Sequence, residues 1–226
     1  MKFRSTLVTA FILAAATAAS AQGMLTAPQF FEKVSATYAG IKDYEAQVTV
    51  KAGKSTMSGT VIYKSPTWLR MDFTQPAEQT ILYNGENLII YVPELRATLS
   101  QQTSPTGGAS AATGEGLKML GRKYSVRYES ASPGAALPLP GSESESAIRL
   151  VFERNSTAEG FRTITLYINP STLLIRRMEG VTIAGDLIVY DFLGIKLNQG
   201  LADTRFLYDA PASANVYSNF LFGTDE

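Results

Sequence analysis

The chain has 226 residues, with 20 basic and 20 acidic side chains and neither histidine nor cysteine. Zinc sites of the usual ligand set, Ser-His-Asp triads, cysteine nucleophiles and histidine proton shuttles are thereby excluded, and neither a metal nor a cofactor is expected. No basic run offers a track for a nucleic-acid backbone, so nucleic acid is not an expected partner.

Lys2 and Arg4 precede the apolar run LVTAFILAAATAA, which ends in Ala19-Ser20-Ala21. The run is shorter than the roughly 18 apolar residues that span a bilayer, so residues 1–21 read as a cleaved secretory signal. Residues 22–226 then form one domain, which loses Lys2 and Arg4 and keeps 18 basic against 20 acidic residues, a net charge near −2. An N-terminal helix follows: Thr26 and Gln29 fit a capping box, Pro28 sits in the first turn, Phe30, Phe31, Val34 and Tyr38 recur at helical spacing, and Gly40 ends it.

From Asp43 the period becomes two. Ala46, Val48 and Val50 alternate with polar residues, as do Met57, Gly59, Val61 and Tyr63, and then Leu69, Met71 and Phe73. The stretch EQTILYNGENLIIYVPE, from Glu78 to Glu94, predicts a hairpin closed by a two-residue turn at Asn84-Gly85, with Tyr83 opposite Glu86. Ile81, Tyr83, Leu88, Ile90 and Val92 share one face, and Leu82, Ile89 and Tyr91 share the other. Both faces are apolar. Either the hairpin is sandwiched inside a solid core, or one face lines a cavity.

A further strand is expected from Leu95 to Gln101, then a small, polar tract from Thr103 to Gly116, and a short helix at Leu117–Leu120. The tract reads equally as a surface loop or a lid. Residues 130–146 read as a solvated loop. Tyr124–Glu129, Ala147–Arg154, Phe161–Asn169, Leu173–Gly180 and Leu187–Phe192 complete about eleven strands. The expected fold is mainly β with α: a curled antiparallel half barrel covered by the N-terminal helix and a short inner helix.

Carboxylate pairs such as Asp72 with Glu78, or Glu143 with Glu145, could serve a cell-wall glycan hydrolase, but nothing in the flanking residues fixes their geometry. The reading is a binding protein, not an enzyme. From Lys64 to Leu95 the chain runs KSPTWLRMDFTQPAEQTILYNGENLIIYVPEL, with Pro66, Pro76, Gly85, Tyr91 and Pro93 spaced as in the LolA-type periplasmic lipoprotein carriers, which it resembles. Near the C-terminus Phe206, Tyr208, Pro211 and Val216 resemble that family's closing Phe-x-Phe-x-x-Pro segment.

The resemblance implies a half barrel (LolA-like) whose apolar interior holds acyl chains as lipoproteins move between two membranes. Residues 22–226 would be the carrier domain, working in the periplasm as a monomer. Its partners would be acylated lipoproteins, an inner-membrane lipoprotein-releasing ABC transporter and an outer-membrane receptor. The implied cavity lining is Val61, Tyr63, Leu69, Met71, Phe73, Leu82, Ile89 and Tyr91. Some members carry an arginine before the Lys-x-Pro proline that controls the lid; Ser65 stands here, with Arg70 the nearest substitute. The outer-membrane receptor of this fold is itself a lipoprotein, and a chain without cysteine cannot be acylated that way, which points to the shuttle. A glycolipid carrier or lipid-binding sensor of the same fold is the alternative; such sensors carry an extra C-terminal domain, whereas this sequence stops at Glu226.

Overall fold

The computed structural model describes residues 25–102, 113–142 and 144–219. The expected signal segment, Glu143 and residues 103–112 of the polar tract lie outside them.

The first helix, α1 (Ala27–Ala39), begins as expected. Thr26 accepts from the Gln29 backbone and the Gln29 side chain accepts from the Thr26 backbone, a complete capping box. Strands β1 (Asp43–Ala52), β2 (Ser55–Lys64), β3 (Trp68–Gln75), β4 (Ala77–Tyr83), β5 (Asn87–Val92) and β6 (Ala97–Gln102) form an antiparallel meander. The inner helix α2 (Gly114–Lys123) follows, then β7 (Tyr124–Tyr128), β8 (Ala136–Pro138), β9 (Ser146–Arg154), β10 (Phe161–Ile168), β11 (Ile175–Thr182), β12 (Leu187–Leu197) and β13 (Asn215–Ser218).

All thirteen described strands belong to one sheet, in the order β13-β6-β5-β4-β3-β2-β1-β12-β11-β10-β9-β7, with β8 paired to β9. The expected eleven lacked β8 and β13. β8 has three residues inside a turn-rich tract, and β13 is held to β6 in parallel, with all four residues exposed. Neither displays a hydrophobic period.

The sheet is curled. In a flat sheet β4 and β10, six strands apart, would be separated by roughly 29 Å at the usual strand spacing. Instead, side chains of β2–β4 and of β10–β12 line a single cavity. The main core fills the concave side, where Phe30, Phe31 and Val34 of α1 and Leu117 and Leu120 of α2 pack on Val48, Val61, Leu150, Phe152 and Leu166. No helix among the described residues is long and apolar enough to cross a membrane.

The hairpin turn is longer than expected. Tyr83 pairs with Leu88, not Glu86, because the Asn84 side chain accepts from the backbones of Glu86 (3.0 Å) and Asn87 (2.8 Å), building a turn out of its own amide. The pairing shifts by two residues on one strand, which leaves the faces unchanged; a shift of one would have exchanged them.

Candidate functional site

The concave side holds a cavity of about 470 Å³. Strands supply its walls through the inward half of their alternation: Val50 from β1, Met57 from β2, Leu69, Met71 and Phe73 from β3, Ile81 from β4, Ile164 from β10, Ile175 and Met178 from β11, and Tyr190 and Phe192 from β12. Helix α2 covers it with Gly116, Met119, Leu120 and Lys123.

Lys123 pairs with Glu159 at 3.2 Å, and among the described residues Glu159 is the only acidic one lining the cavity. Asp72, Glu78 and Glu145, among the carboxylates considered for hydrolysis, are not in the cavity lining. Asp72 accepts from Arg70 and Thr80, and Glu145 accepts from Nε and Nη2 of Arg176 at 2.7 and 2.9 Å. That charge-assisted pair keeps the Glu145 carboxyl below its usual range despite some opposing desolvation.

Helix α2 carries two glycines where it meets other elements. A Cβ at Gly114 would lie 3.1 Å from the Ala39 Cα at the end of α1, and one at Gly121 would lie 3.1 Å from the Phe31 ring. The cover is therefore seated by close approach and by Leu117 and Leu120, with Thr113 capping its first turn through the Gly116 N–H at 3.0 Å. The expected helix at Leu117–Leu120 is thus longer, and starts inside the tract read as loop. Its glycines gave it a poor helix propensity, which packing on α1 overrides.

Three tyrosines, Tyr38, Tyr44 and Tyr190, belong to or pack against the main core of the concave side. Burial raises the Tyr38 phenol well above its ordinary range, partly offset by the Ile175 N–H that donates to it at 2.9 Å. Burial also raises Tyr44, with Tyr38 and Tyr63 adding to the shift, and burial raises Tyr190 in the cavity wall. All three phenols are neutral over any physiological pH.

Of the residues expected to line the cavity, Leu69, Met71 and Phe73 do so. Val61 and Tyr63 are buried in the adjoining core instead; Val61 is fully covered, and Tyr63 donates to the Pro66 carbonyl at 3.2 Å. Leu82, Ile89 and Tyr91 lie on the opposite, convex side of the sheet. There Leu82 and Ile89 pack with Ile62 and Trp68 under Leu201, Phe206 and Tyr208 of the C-terminal segment, and Tyr91 stacks on Tyr208 with ring centroids 6.2 Å apart. The choice of hairpin face is corrected accordingly: Ile81, the neighbour of Leu82, is the residue that reaches the cavity.

That C-terminal segment is strapped down by polar contacts. The buried Asp43 carboxylate accepts from the backbone N–H groups of Gln199 (2.6 Å) and Gly200 (3.0 Å). Lys64 donates to the Leu201 carbonyl and pairs with Asp203. Arg205 pairs with Glu45 at 2.7 Å, and Arg70 donates to the carbonyls of Arg205 (3.1 Å) and Leu207 (2.7 Å). Arg70 therefore holds the strap, on the face away from α2. Ser65 is exposed, and its backbone N–H donates to the Lys42 carbonyl at 2.8 Å.

The sequence reading missed the cavity contributions of β10–β12 and α2. The available signal was methionine at inward strand positions, a flexible residue in places where branched ones pack better.

Residues 43–209 match the family model described as "Outer membrane lipoprotein carrier protein LolA". An outer-membrane lipoprotein carrier protein of Chromobacterium violaceum is 31% identical over 159 residues, 68% of this chain and 76% of the relative. One from Neisseria gonorrhoeae is 24% identical over 174 residues, 76% of this chain and 77% of the relative. An uncharacterized conserved protein from Thermus thermophilus, of known crystal structure, shares the fold with a TM-score of 0.55 at 14% identity, over 84% of this chain and 96% of that one. The sheet, the helical cover and the sequence match agree: this chain belongs to the LolA family of outer-membrane lipoprotein carriers.

Proposed function

We propose that the chain, after loss of residues 1–21, works in the periplasm as a monomeric carrier domain spanning 22–226. In its cavity it shields the acyl chains of lipoproteins, taking them from an inner-membrane lipoprotein-releasing ABC transporter and passing them to an outer-membrane receptor. The observation that carries this reading is the apolar cavity under α2, walled by consecutive strands of the curled sheet from β4 through β1 to β10.

Burying a sixteen-carbon chain is worth about 12 kcal/mol at 0.8 kcal/mol per methylene, enough to keep the cargo from dissociating into water. The cavity of about 470 Å³ falls within the size range of small-molecule binding sites. Release needs no chemistry. A receptor that binds the chains more tightly draws them out.

Purified protein is expected to bind a fluorescent sixteen-carbon fatty-acid probe at micromolar concentration and to co-purify with acylated protein. Ile81→Glu, which puts a carboxylate in the cavity wall, should abolish probe binding with the fold intact. Absence of probe binding by the unaltered protein would sink the reading.

A further inference from the structure

The sequence has six methionines, of which Met1 and Met24 lie outside the described residues. The other four, Met57, Met71, Met119 and Met178, all line the same cavity. They come from β2, β3, α2 and β11, so their meeting is a product of the fold rather than of sequence proximity. Each is half-buried, and with no cysteine in the chain they are the only sulfur atoms in the described structure. Gln79 donates to the Met57 sulfur at 3.7 Å.

We infer that these four thioethers form an oxidative modification site, taking hydrogen peroxide as the co-reactant, and that their oxidation shuts the cavity to acyl chains. The inference rests on the carrier reading and adds a control to it. A sulfur lone pair takes one oxygen of the peroxide: an S–O bond forms, the O–O bond breaks, and the leaving hydroxide picks up the proton of the transferred hydroxyl to depart as water. Sulfur loses two electrons and the peroxide gains them. The product is a sulfoxide, a polar group where the wall was apolar. The cavity is partly open to solvent, and its lining includes the exposed Lys123 and Gly160, so a molecule as small as peroxide can enter. A bound acyl chain fills the same volume, so loaded protein is shielded and empty protein is vulnerable. A wall of sulfoxide dipoles facing a hydrocarbon has lost its water without gaining a partner, which favours the empty, hydrated state.

The test uses the full chain with and without the bound fatty-acid probe, treated with hydrogen peroxide, with oxygen addition mapped by peptide mass spectrometry. Oxidation of all four methionines in the empty protein, markedly slower oxidation with probe bound, and probe affinity at least roughly tenfold weaker afterwards are the expected results. The variant Met57→Leu/Met71→Leu/Met119→Leu/Met178→Leu has no thioether in the wall, so its probe affinity, whatever its value before treatment, should be unchanged by peroxide. If the fourfold variant does not fold, Met71→Leu/Met178→Leu replaces it and should keep more binding after peroxide than the unaltered chain. Oxidised protein that binds as well as reduced protein overturns the inference and leaves the carrier reading standing, as does equal loss in the leucine variants. Reduced protein that binds no probe overturns the carrier reading itself.

Discussion

Ile81 and Leu82 are adjacent, equally apolar, and belong to different worlds. Ile81 faces a cavity whose walls include four flexible thioethers, while Leu82, 2% exposed, is sealed beneath a strap pinned by Asp43, Lys64 and Arg70. The two faces of one sheet have thus been packed by opposite rules. The convex face has ring contacts, short charge-assisted hydrogen bonds and a fixed occupant from the same chain. The concave face beneath α2 has free volume and adaptable side chains. A protein that must hold a foreign chain and let it go needs a sheet rigid enough not to collapse into its own cavity, and the strap supplies that stiffness from behind.

The difference can be broken first at the hairpin. Leu82→Glu should destabilise the fold by about 4 kcal/mol or more, since it removes a packed leucine and buries a carboxylate. Urea unfolding would register this as a lower midpoint, whereas Ile81→Glu should leave the midpoint nearly unchanged and remove probe binding. Equal behaviour of the two variants would erase the distinction between the faces.

Next in size is Gly114→Val. The added side chain meets the backbone at the end of α1, so α2 should lift, at an expense of about 1–3 kcal/mol, with faster probe release in stopped-flow displacement. Arg70→Ala follows, leaving the carbonyls of Arg205 and Leu207 without their donor and lowering stability by about 1–2 kcal/mol. Hydrogen exchange should quicken across residues 199–208 while probe affinity holds; altered affinity with an undisturbed strap would return Arg70 to lid control.

The smallest effect in the neutral range is that of pH. Tyr38, Tyr44 and Tyr190 have phenols raised in the fold above the unfolded value near 10. A raised folded value means that their contribution is complete below pH 10 and is lost as pH climbs through the folded values. Melting temperature should therefore be insensitive to these groups from about pH 6 to 9 and fall steeply above about pH 10. A flat profile through about pH 11 would mean the phenols are not buried.

Much of this was legible in the residues. The capping box at Thr26 and Gln29 and the alternation of β1–β3 are local signals, and each element formed where its signal stood. Which hairpin face meets the cavity was not legible, because both faces are apolar and the answer depends on Phe206 and Tyr208, more than a hundred residues away. The extent of α2 was hidden by glycines whose purpose appears only against α1. Met57, Met71, Met119 and Met178 are scattered through 122 positions, from 57 to 178, and only the curl of the sheet assembles them.

The order of strands also governs how the molecule comes into being. β1 pairs on one side with β2, its neighbour in sequence, and on the other with β12, where Val48 faces Phe192, 144 positions further along (192 − 48). The meander β1–β6 and the run β9–β12 are each built from consecutive partners and can assemble as they emerge. The seam between them waits for nearly the whole chain, and such distant pairings are the slow steps of folding. In pulsed hydrogen exchange the amides along β1 and β12 should gain protection last. Under the export proposed above, that delay keeps the chain threadable until its final strands have crossed.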